Sequence, residues 1–259
     1  MIAAPQRLRV MTYNIRAGRG LDNRVDLGRI ARVIASFEPD VVALQEVDCG
    51  VARSQSVDQA SELGARLGME ASFAPCVEAG SARTGIATLT RLPLVATDQV
   101  ELPYRAGVRR SEPRRALVTL LAWNRAAPQA GVPAARPEDG AGDQSDQVEV
   151  VNTHLSVLRR ERPAQVAAIA SAIGTRPVVI AGDLNCTARS GPFRALCCEL
   201  RSAAPGARSW PSRFPVVQID HILYRGRLDV VSAGTWTAGE ARRASDHLPV
   251  VAEFARGGA

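Results

Sequence analysis

Acidic, amide and histidine side chains occur where several apolar segments of this sequence stop. Carboxylates and imidazoles are costly to bury unless they are paired, hydrogen-bonded or bound to metal. In parallel α/β arrangements, ligands bind at the ends of strands. We therefore expect these side chains to converge on one site. They are Asn14, Glu46, His154, Asp183, Asn185, Asp220, His221, Asp246 and His247.

This set of side chains suits a hard cation with oxygen ligands. Mg²⁺ typically takes one or two carboxylates and completes its coordination with water and substrate phosphate. Zinc is disfavoured, because the cysteines and histidines lack its ligand spacing. The sequence contains no G-x-S-x-G element for a nucleophilic serine and no glycine-rich phosphate loop of the Walker or Rossmann type. The pattern therefore favours magnesium chemistry over zinc or a serine nucleophile.

Apolar runs and amphipathic segments alternate along the chain, which is typical of an α/β protein. The order strand, helix, strand occurs in both halves, and each of these strands runs into a polar residue. This likeness is one of pattern and not of sequence. The predicted strands are 8–14, 41–46, 86–89, 117–123, 148–153, 177–185, 218–224 and 248–254, and the predicted helices are 27–34, 58–67 and 164–173.

One segment interrupts this alternation. The segment 126–147 is rich in Ala, Pro, Gly, Gln and Asp and has no periodicity, so we predict a flexible loop joining two strands. Because the strand pattern continues directly on either side, we expect residues 1–259 to form a single domain.

Composition sets outer bounds on the function. The chain has 259 residues, 46% hydrophobic and 22% charged, which excludes a disordered chain. It contains no apolar run long enough to span a membrane and no signal-like start, so we expect a cytoplasmic protein with reduced cysteines. The net charge is +6, and every basic residue is an arginine. That charge agrees with a polyanionic partner and equally with the codon usage of a genome.

Six short motifs carry a resemblance to a known family. They are MTYNI at 11–15, LQEV at 44–47, NTHL at 152–155, GDLN at 182–185, QIDHI at 218–222 and SDHLPV at 245–250. In this order the set resembles the endonuclease/exonuclease/phosphatase superfamily over nearly the whole chain. The resemblance implies a DNase I-like fold, which is a four-layer α/β sandwich of two packed mixed β-sheets flanked by helices.

The resemblance also implies a metal-dependent attack of water on a phosphorus ester. By that similarity Glu46 is the principal Mg²⁺ ligand, with Asn14 beside it and Asp246 completing the coordination shell. Mn²⁺ is expected to substitute for Mg²⁺. The ions assist by neutralising charge on the phosphate and by positioning the attacking water.

The same similarity assigns the catalytic roles. Asp183 orients or deprotonates the attacking water, and Asn185 holds that water or a phosphate oxygen. His247 donates to a non-bridging oxygen, with its ring fixed by Asp220, whose charge favours the protonated imidazole. His154 contacts the phosphate or assists the leaving group, the alternative being a histidine satisfied within the core. His221, beside Asp220, is read as structural.

Two outer features are expected to border the site. The arginine-rich segment 104–115 includes Arg115, a candidate for substrate binding, since guanidinium groups suit phosphates. A solvated basic loop is the equal alternative. Trp210 is the second candidate, because it could stack on a base or sugar, or equally close the core.

We expect a monomeric phosphoesterase that cleaves a phosphodiester, with nucleic acid, DNA or RNA, as the favoured substrate. The rival within the enzyme class is a phosphatase or phospholipase-like hydrolase of a small or lipid phosphate. A non-catalytic phosphate-binding module is the alternative from another class, but such a module usually lacks one or more catalytic positions. The sequence does not identify the substrate.

Overall fold

The computed structural model describes residues 7–123 and 146–257. Its strands are β1 (Arg7–Asn14), β2 (Val41–Cys49), β3 (Glu70–Ala79), β4 (Ala82–Thr90), β5 (Leu94–Leu102), β6 (Arg114–Ala122), β7 (Gln147–His154), β8 (Val178–Asp183), β9 (Arg201–Ser202), β10 (Asp220–Arg225), β11 (Leu228–Thr235) and β12 (Val250–Arg256). The helices are α1 (Leu27–Ala35), α2 (Gln59–Leu67), α3 (Arg162–Ala172), α4 (Gly191–Leu196) and α5 (Ala241–Ala244).

The helix boundaries follow from local hydrogen bonding. Asp26 caps α1 by accepting a hydrogen bond from the Arg29 amide at 2.8 Å, and Asp58 caps α2 through Ser61 at 3.2 Å. Both caps satisfy amide groups that have no partner inside the helix. Gly68 ends α2 in the left-handed region, with φ of +61°, which glycine adopts without a steric penalty.

The strands form two six-stranded mixed sheets. The first sheet has the order β11-β12-β1-β2-β4-β3, and the second has the order β5-β6-β7-β8-β10-β9. Each sheet contains one parallel pair, β1 with β2 and β7 with β8. The connection inside each pair contains a helix, α1 or α3, as parallel strands require. The two parallel pairs bring four carboxyl ends to one edge of the sandwich.

The core has three apolar layers. Residues of α1 and α2 pack on the outer face of the first sheet, among them Ile30, Ile34 and Leu63. Residues of α3 and α4 cover the outer face of the second sheet. Between the sheets, Val10 and Phe254 of the first face Val150 of the second. This is the predicted four-layer sandwich, and the fold prediction is confirmed.

The observed elements differ from the prediction chiefly at the sheet edges. The four edge strands, β11, β3, β5 and β9, were not predicted. Exposed residues dominate β5 and β11, so neither has a continuous apolar run. Edge strands pair on one side only and face solvent. The segment 126–147, predicted as a loop, lies outside the described residues except for its last two, of which Gln147 begins β7.

No helix within residues 7–123 and 146–257 combines the length and apolar character needed to cross a membrane.

Candidate active site

The register of the second sheet places three predicted residues side by side. Asp183 ends β8, and its Cα pairs with that of His154 at the end of parallel β7. On its other side, Asp183 pairs with Asp220 at the start of antiparallel β10. All three side chains are buried. Strand pairing alone therefore aligns a carboxylate, an imidazole and a second carboxylate across one sheet edge.

Asn14 joins the two sheets at this edge. It ends β1 and is buried. Its Nδ2 donates to Glu46 Oε1 at 2.9 Å and to Asp183 Oδ2 at 3.2 Å. Its Oδ1 accepts a hydrogen bond from the Arg16 amide at 3.1 Å. One amide group thus holds two carboxylates from different sheets close together.

A β-bulge turns Glu46 toward Asn14. The pairing of β2 with β4 shifts register between Gln45 and Val47, so that Glu46 has no partner in the ladder. Its φ of +53° lies in the left-handed region, which is unusual for a residue with a Cβ atom. Bulges of this kind redirect a side chain and occur next to active sites. Backbone geometry therefore places the Glu46 carboxylate in the cluster.

A tight turn after β8 presents Asn185. The Asp183 Oδ1 atom accepts a hydrogen bond from the Asn185 amide at 2.9 Å, and Asn185 has a φ of +48°. Asn185 Nδ2 donates to the Leu155 carbonyl at 2.8 Å, and the buried Arg162 donates to the Asn185 carbonyl. Asx turns of this type are a common use of Asp and Asn side chains. The turn fixes Asn185 beside Asp183.

His247 and Asp220 form a hydrogen-bonded pair. Their Nδ1 and Oδ2 atoms are 2.8 Å apart, and the Ser209 hydroxyl donates to the same oxygen of Asp220. His247 lies on the bend between α5 and β12, where its amide donates to the Ser245 hydroxyl oxygen at 3.3 Å. The Nε2 atom of His247 is 3.9 Å from Asp183 Oδ2. The imidazole is therefore oriented by Asp220 and directed at Asp183.

His154 has two different partners at its two ring nitrogens. Its Nε2 is 3.4 Å from Asp183 Oδ2. Its Nδ1 is 3.1 Å from one guanidinium nitrogen of Arg114. The other terminal nitrogen of Arg114 lies 3.4 Å from Glu112. At Nδ1, His154 therefore faces a cation, whereas His247 faces the carboxylate of Asp220.

These surroundings shift the pKa values in opposite directions. Burial raises the pKa of Asp183, and the Asp220 charge raises it further, against the lowering effect of His247. Burial lowers the pKa of His247, but the charges of Asp220, Asp183 and Asp246 and the hydrogen bond that His247 donates to Asp220 raise it to about 10. Burial, Arg114 and His247 all lower the pKa of His154, which falls well below its ordinary value. Asp183 is therefore protonated more easily than an ordinary aspartate, whereas His247 is cationic and His154 is neutral.

Asp246 lies at the rim of the cluster. It is half-buried, and its Oδ2 is 3.8 Å from the Arg16 guanidinium. The neighbouring Ser245 hydroxyl donates to the Asn14 carbonyl at 2.7 Å. This bond anchors the bend that carries Asp246 and His247 to the end of β1. The bend also resolves how two adjacent residues serve one site, since on a regular strand they would point to opposite faces.

Buried amides join the two sheets beneath the cluster. Gln45 Nε2 of the first sheet donates to Asn152 Oδ1 of the second at 2.9 Å. Asn152 Nδ2 donates back to the carbonyls of Leu44 and Ala87 at 3.1 and 2.8 Å. Both side chains are inaccessible to solvent. A buried polar network is rigid when its groups are paired with one another. These inter-sheet hydrogen bonds therefore fix the distance between the sheets at the site.

The cluster opens into a cavity of about 640 Å³. Glu46, Asp183 and His247 line it, together with Arg114 and Trp210. The arginines of its lining also include Arg159 and Arg162, and its apolar wall includes Val217 and Ile219. The cavity therefore offers the cluster to a ligand and combines cationic and apolar surfaces.

The structure brings most of the predicted site residues together but leaves Arg115 outside. Its guanidinium contacts Gln99 at 3.1 Å and Glu101 at 3.2 Å on β5. Successive side chains of a strand point to opposite faces, so Arg115 on β6 points away when Arg114 points in. Arg114 therefore occupies the place expected for Arg115. Trp210 lies at the cavity, 41% exposed.

Two further contributors were not predicted. Ser209 holds Asp220, and the pair Gln45 and Asn152 joins the sheets. Gln45 and Asn152 belong to the recognised motifs, and only their position in those motifs could have indicated them. His221 packs in the core, as expected, with its Nε2 2.8 Å from the Cys186 carbonyl and its ring against Phe193.

The donor set of the cluster fits a divalent cation with oxygen ligands. Glu46 and Asp183 carry like charges and share one neutral donor, Asn14 Nδ2, so a cation between them relieves their repulsion. A different group within the described residues, Asp183, Asp220 and His247, has ligand atoms within 4.8 Å of one another. In that group His247 Nδ1 is already hydrogen-bonded to Asp220 Oδ2 at 2.8 Å, which engages the Asp220 carboxylate. Glu46 is therefore the better anchor.

Comparison with known proteins identifies the family of this chain. Residues 11–247 match the endonuclease/exonuclease/phosphatase family. The chain therefore belongs to this family, whose members are hydrolases of phosphoester bonds and generally depend on a divalent metal. A comparison with curated proteins found no match.

Several solved structures share the fold. An endonuclease/exonuclease/phosphatase from Beutenbergia cavernae is 24% identical, with a TM-score of 0.73 over 98% of this chain and 72% of that one. The catalytic domain of human nocturnin, with bound sulfate, is 22% identical, with a TM-score of 0.67 over 97% and 94%. A mannosyl-6-phosphatase from Bacteroides thetaiotaomicron is 17% identical, with a TM-score of 0.69 over 95% and 99%.

Proposed function

We propose that this protein is an Mg²⁺-dependent phosphodiesterase, served also by Mn²⁺, with nucleic acid as its substrate class. The observation that carries the proposal is the convergence of Glu46, Asn14, Asp183 and the His247–Asp220 pair in one cluster, from which Glu46, Asp183 and His247 line a single cavity. The complete set argues against a non-catalytic binding module, for which a buried, like-charged cluster would bring a cost without a use.

Glu46, Asn14 and Asp246 are the residues that would hold the ion. All three offer the oxygen ligands that Mg²⁺ prefers. As a ligand, Asn14 would present its side-chain oxygen in the place where its nitrogen now faces Glu46. When bound, the ion neutralises charge on the phosphate and on the departing oxygen.

Asp183 and Asn185 act on the attacking water. Burial raises the pKa of Asp183, and a base with a pKa nearer to neutrality accepts a proton more effectively in a reaction at neutral pH. Asn185 Nδ2 already donates to the Leu155 carbonyl, which leaves its Oδ1 as an acceptor for a water hydrogen. Asn185 holds the water, and the Asp183 carboxylate receives its proton.

His247 and His154 donate to phosphate oxygens. His247, kept cationic by Asp220, supplies a charged hydrogen bond as negative charge develops in the transition state. Preorganised donors of this kind are worth about 10²–10³-fold in rate. His154 lies on the far side of Asp183 from Asp220, within the same cavity.

The cavity surface supports a nucleic acid substrate. Arg114, Arg159 and Arg162 line it, and guanidinium groups bind phosphates. Trp210, at the rim, suits stacking on a base. The net charge of +6 favours a polyanion.

One observation favours a second candidate, a hydrolase of a small or lipid phosphate. Val217 and Ile219 line the same cavity, and an apolar wall beside the reacting phosphate suits the apolar part of such an ester.

A substrate panel tests the proposal. We expect Mg²⁺-dependent hydrolysis of plasmid, single-stranded oligonucleotide or bis-p-nitrophenyl phosphate, exceeding that of monophosphates and sphingomyelin. Asp183→Asn and His247→Ala should each reduce the rate by about 10²-fold or more. The matched control, Asp98→Asn, changes an exposed carboxylate on β5 and should retain full activity. Full activity in both site variants would refute the proposal, and a preference for sphingomyelin or monophosphates would favour the second candidate.

A further inference from the structure

Two adjacent arginines at the start of β6 have opposite surroundings. Arg115 forms an ion pair with Glu101 at 3.2 Å on the outer side. Arg114 points into the site, where its guanidinium lies 3.1 Å from His154 Nδ1. Only 14% of the Arg114 side chain is exposed. Arg114 is therefore placed to act on His154.

The chemistry of the two groups fixes the position of a proton. A guanidinium has five N–H donors and no acceptor. Its partner, His154 Nδ1, must therefore accept and carry no hydrogen. A neutral imidazole then has its proton on Nε2. That atom lies 3.4 Å from Asp183 Oδ2, so the N–H group of His154 is directed into the catalytic cluster.

The charges around the ring oppose a second proton. Burial and the charges of Arg114 and His247 lower the pKa of His154. The Asp183 carboxylate, 3.4 Å from Nε2, favours the single proton at that nitrogen over Nδ1. Glu112 lies 3.4 Å from the other terminal nitrogen of Arg114 and is half exposed. His247 differs in this respect, because its Nδ1 faces the carboxylate of Asp220 at 2.8 Å. The partner at Nδ1 therefore separates a neutral from a charged histidine.

We propose that Arg114 is a positioning residue that holds His154 in the Nε2–H form, as a neutral hydrogen-bond donor to the substrate phosphate. This rests on the proposed function for the identity of the acceptor, but not for the proton position. In this arrangement His154 does not protonate the leaving group. The structure divides the two roles through a single difference, a cation or a carboxylate at Nδ1.

Nitrogen-15 NMR of the imidazole rings tests the proton position directly in the full chain without metal or substrate. The sequence has three histidines, so the ring signals are few and can be assigned by substitution. We expect His154 to show a protonated Nε2 and an unprotonated Nδ1 from pH 6 to pH 8. His247 should be protonated at both nitrogens, and His221 at Nε2, since that atom faces the Cys186 carbonyl.

Variants separate positioning from general stability. Arg114→Lys keeps a cationic donor and should preserve the His154 signature. Arg114→Ala should give a mixture of both tautomers and a reduction in kcat of about 10-fold or more, recovered in part by lysine. The control, Arg115→Ala, should leave the His154 signals unchanged. A wild-type His154 protonated at Nδ1, or an unchanged tautomer in Arg114→Ala, would overturn the inference. Absence of catalysis with the expected NMR signature would refute only the proposed function.

Discussion

Replacement of Asp220 by asparagine isolates the charge that orients His247. The amide is similar in size to the carboxylate and can still accept hydrogen bonds from His247 Nδ1 and the Ser209 hydroxyl. The substitution therefore removes a negative charge with little change in packing. It also removes the interaction that most strongly opposes the effect of burial on the His247 pKa.

The expected effect on activity depends on pH. With a pKa of about 10, His247 is almost fully protonated at both pH 6 and pH 8. Without the Asp220 charge, the pKa should return to about the ordinary value of 6.5, so that roughly 3% of the imidazole is protonated at pH 8 and about three quarters at pH 6. The variant should therefore lose about 30-fold in rate at pH 8 and less than about twofold at pH 6 from this cause. Loss of the Asp220 charge also lowers the pKa of Asp183, which favours the same acid shift.

The assay is the pH profile of kcat/KM for bis-p-nitrophenyl phosphate at saturating Mg²⁺, measured for the wild type and Asp220→Asn. Asp98→Asn serves as the matched control, since it makes the same chemical change at an exposed site on β5. The account predicts a wild-type to variant ratio that rises from pH 6 to pH 8. An equal ratio at both pH values would show that the charge of His247 is not the feature that Asp220 controls.

Three further outcomes follow from other parts of the fold. Asp48 is buried and accepts hydrogen bonds from Arg53, Ser54 and Thr84, which lower its pKa. Its stabilisation is therefore present above about pH 4 and is lost as the pH falls below that value. Asp48→Asn should cost about 1–3 kcal/mol in urea unfolding at pH 7 and less at pH 3; an equal cost at both would contradict this. Asn152→Leu, which removes the hydrogen bonds of Asn152 to Gln45 and to the carbonyls of Leu44 and Ala87, should lower stability by about 2–4 kcal/mol and reduce kcat; an unchanged melting temperature would refute the role of the network. Phe254→Ala should cost about 3–5 kcal/mol while the folded fraction, measured at 15 °C, keeps its KM; a changed KM would show coupling between the core and the site.

The central strands of both sheets could be predicted from sequence because they are buried on both faces. The segments 8–14, 41–46 and 177–185 are mainly apolar up to the polar residues at their ends, which indicates a buried strand whatever its neighbours. The edge strands β3, β5 and β11 are largely exposed. Their sequences contain neither an apolar run nor a regular alternation of apolar and polar residues. These segments form strands because each pairs with a neighbouring strand.

The sequence indicated the site residues at the strand ends, but not which of the two adjacent arginines of β6 faces the site. Motif residues such as Glu46 and Asp183 interrupt apolar runs, so their position was visible. The exchange of Arg114 for Arg115 has a physical cause. The predicted strand began at residue 117, whereas β6 begins at Arg114. Successive side chains of a strand point to opposite faces, so a shift of one residue changes which arginine faces the site. The bulge at Glu46 likewise depends on the partner strand β4.

The position of a bound Mn²⁺ ion would show which side chains hold the metal. Crystals grown with Mn²⁺ would give an anomalous difference peak that locates the ion without reference to activity. The account predicts a peak about 2.0–2.6 Å from a carboxylate oxygen of Glu46, and its loss in Glu46→Gln crystals. A peak held by Asp183, Asp220 and His247, with none at Glu46, would contradict the account.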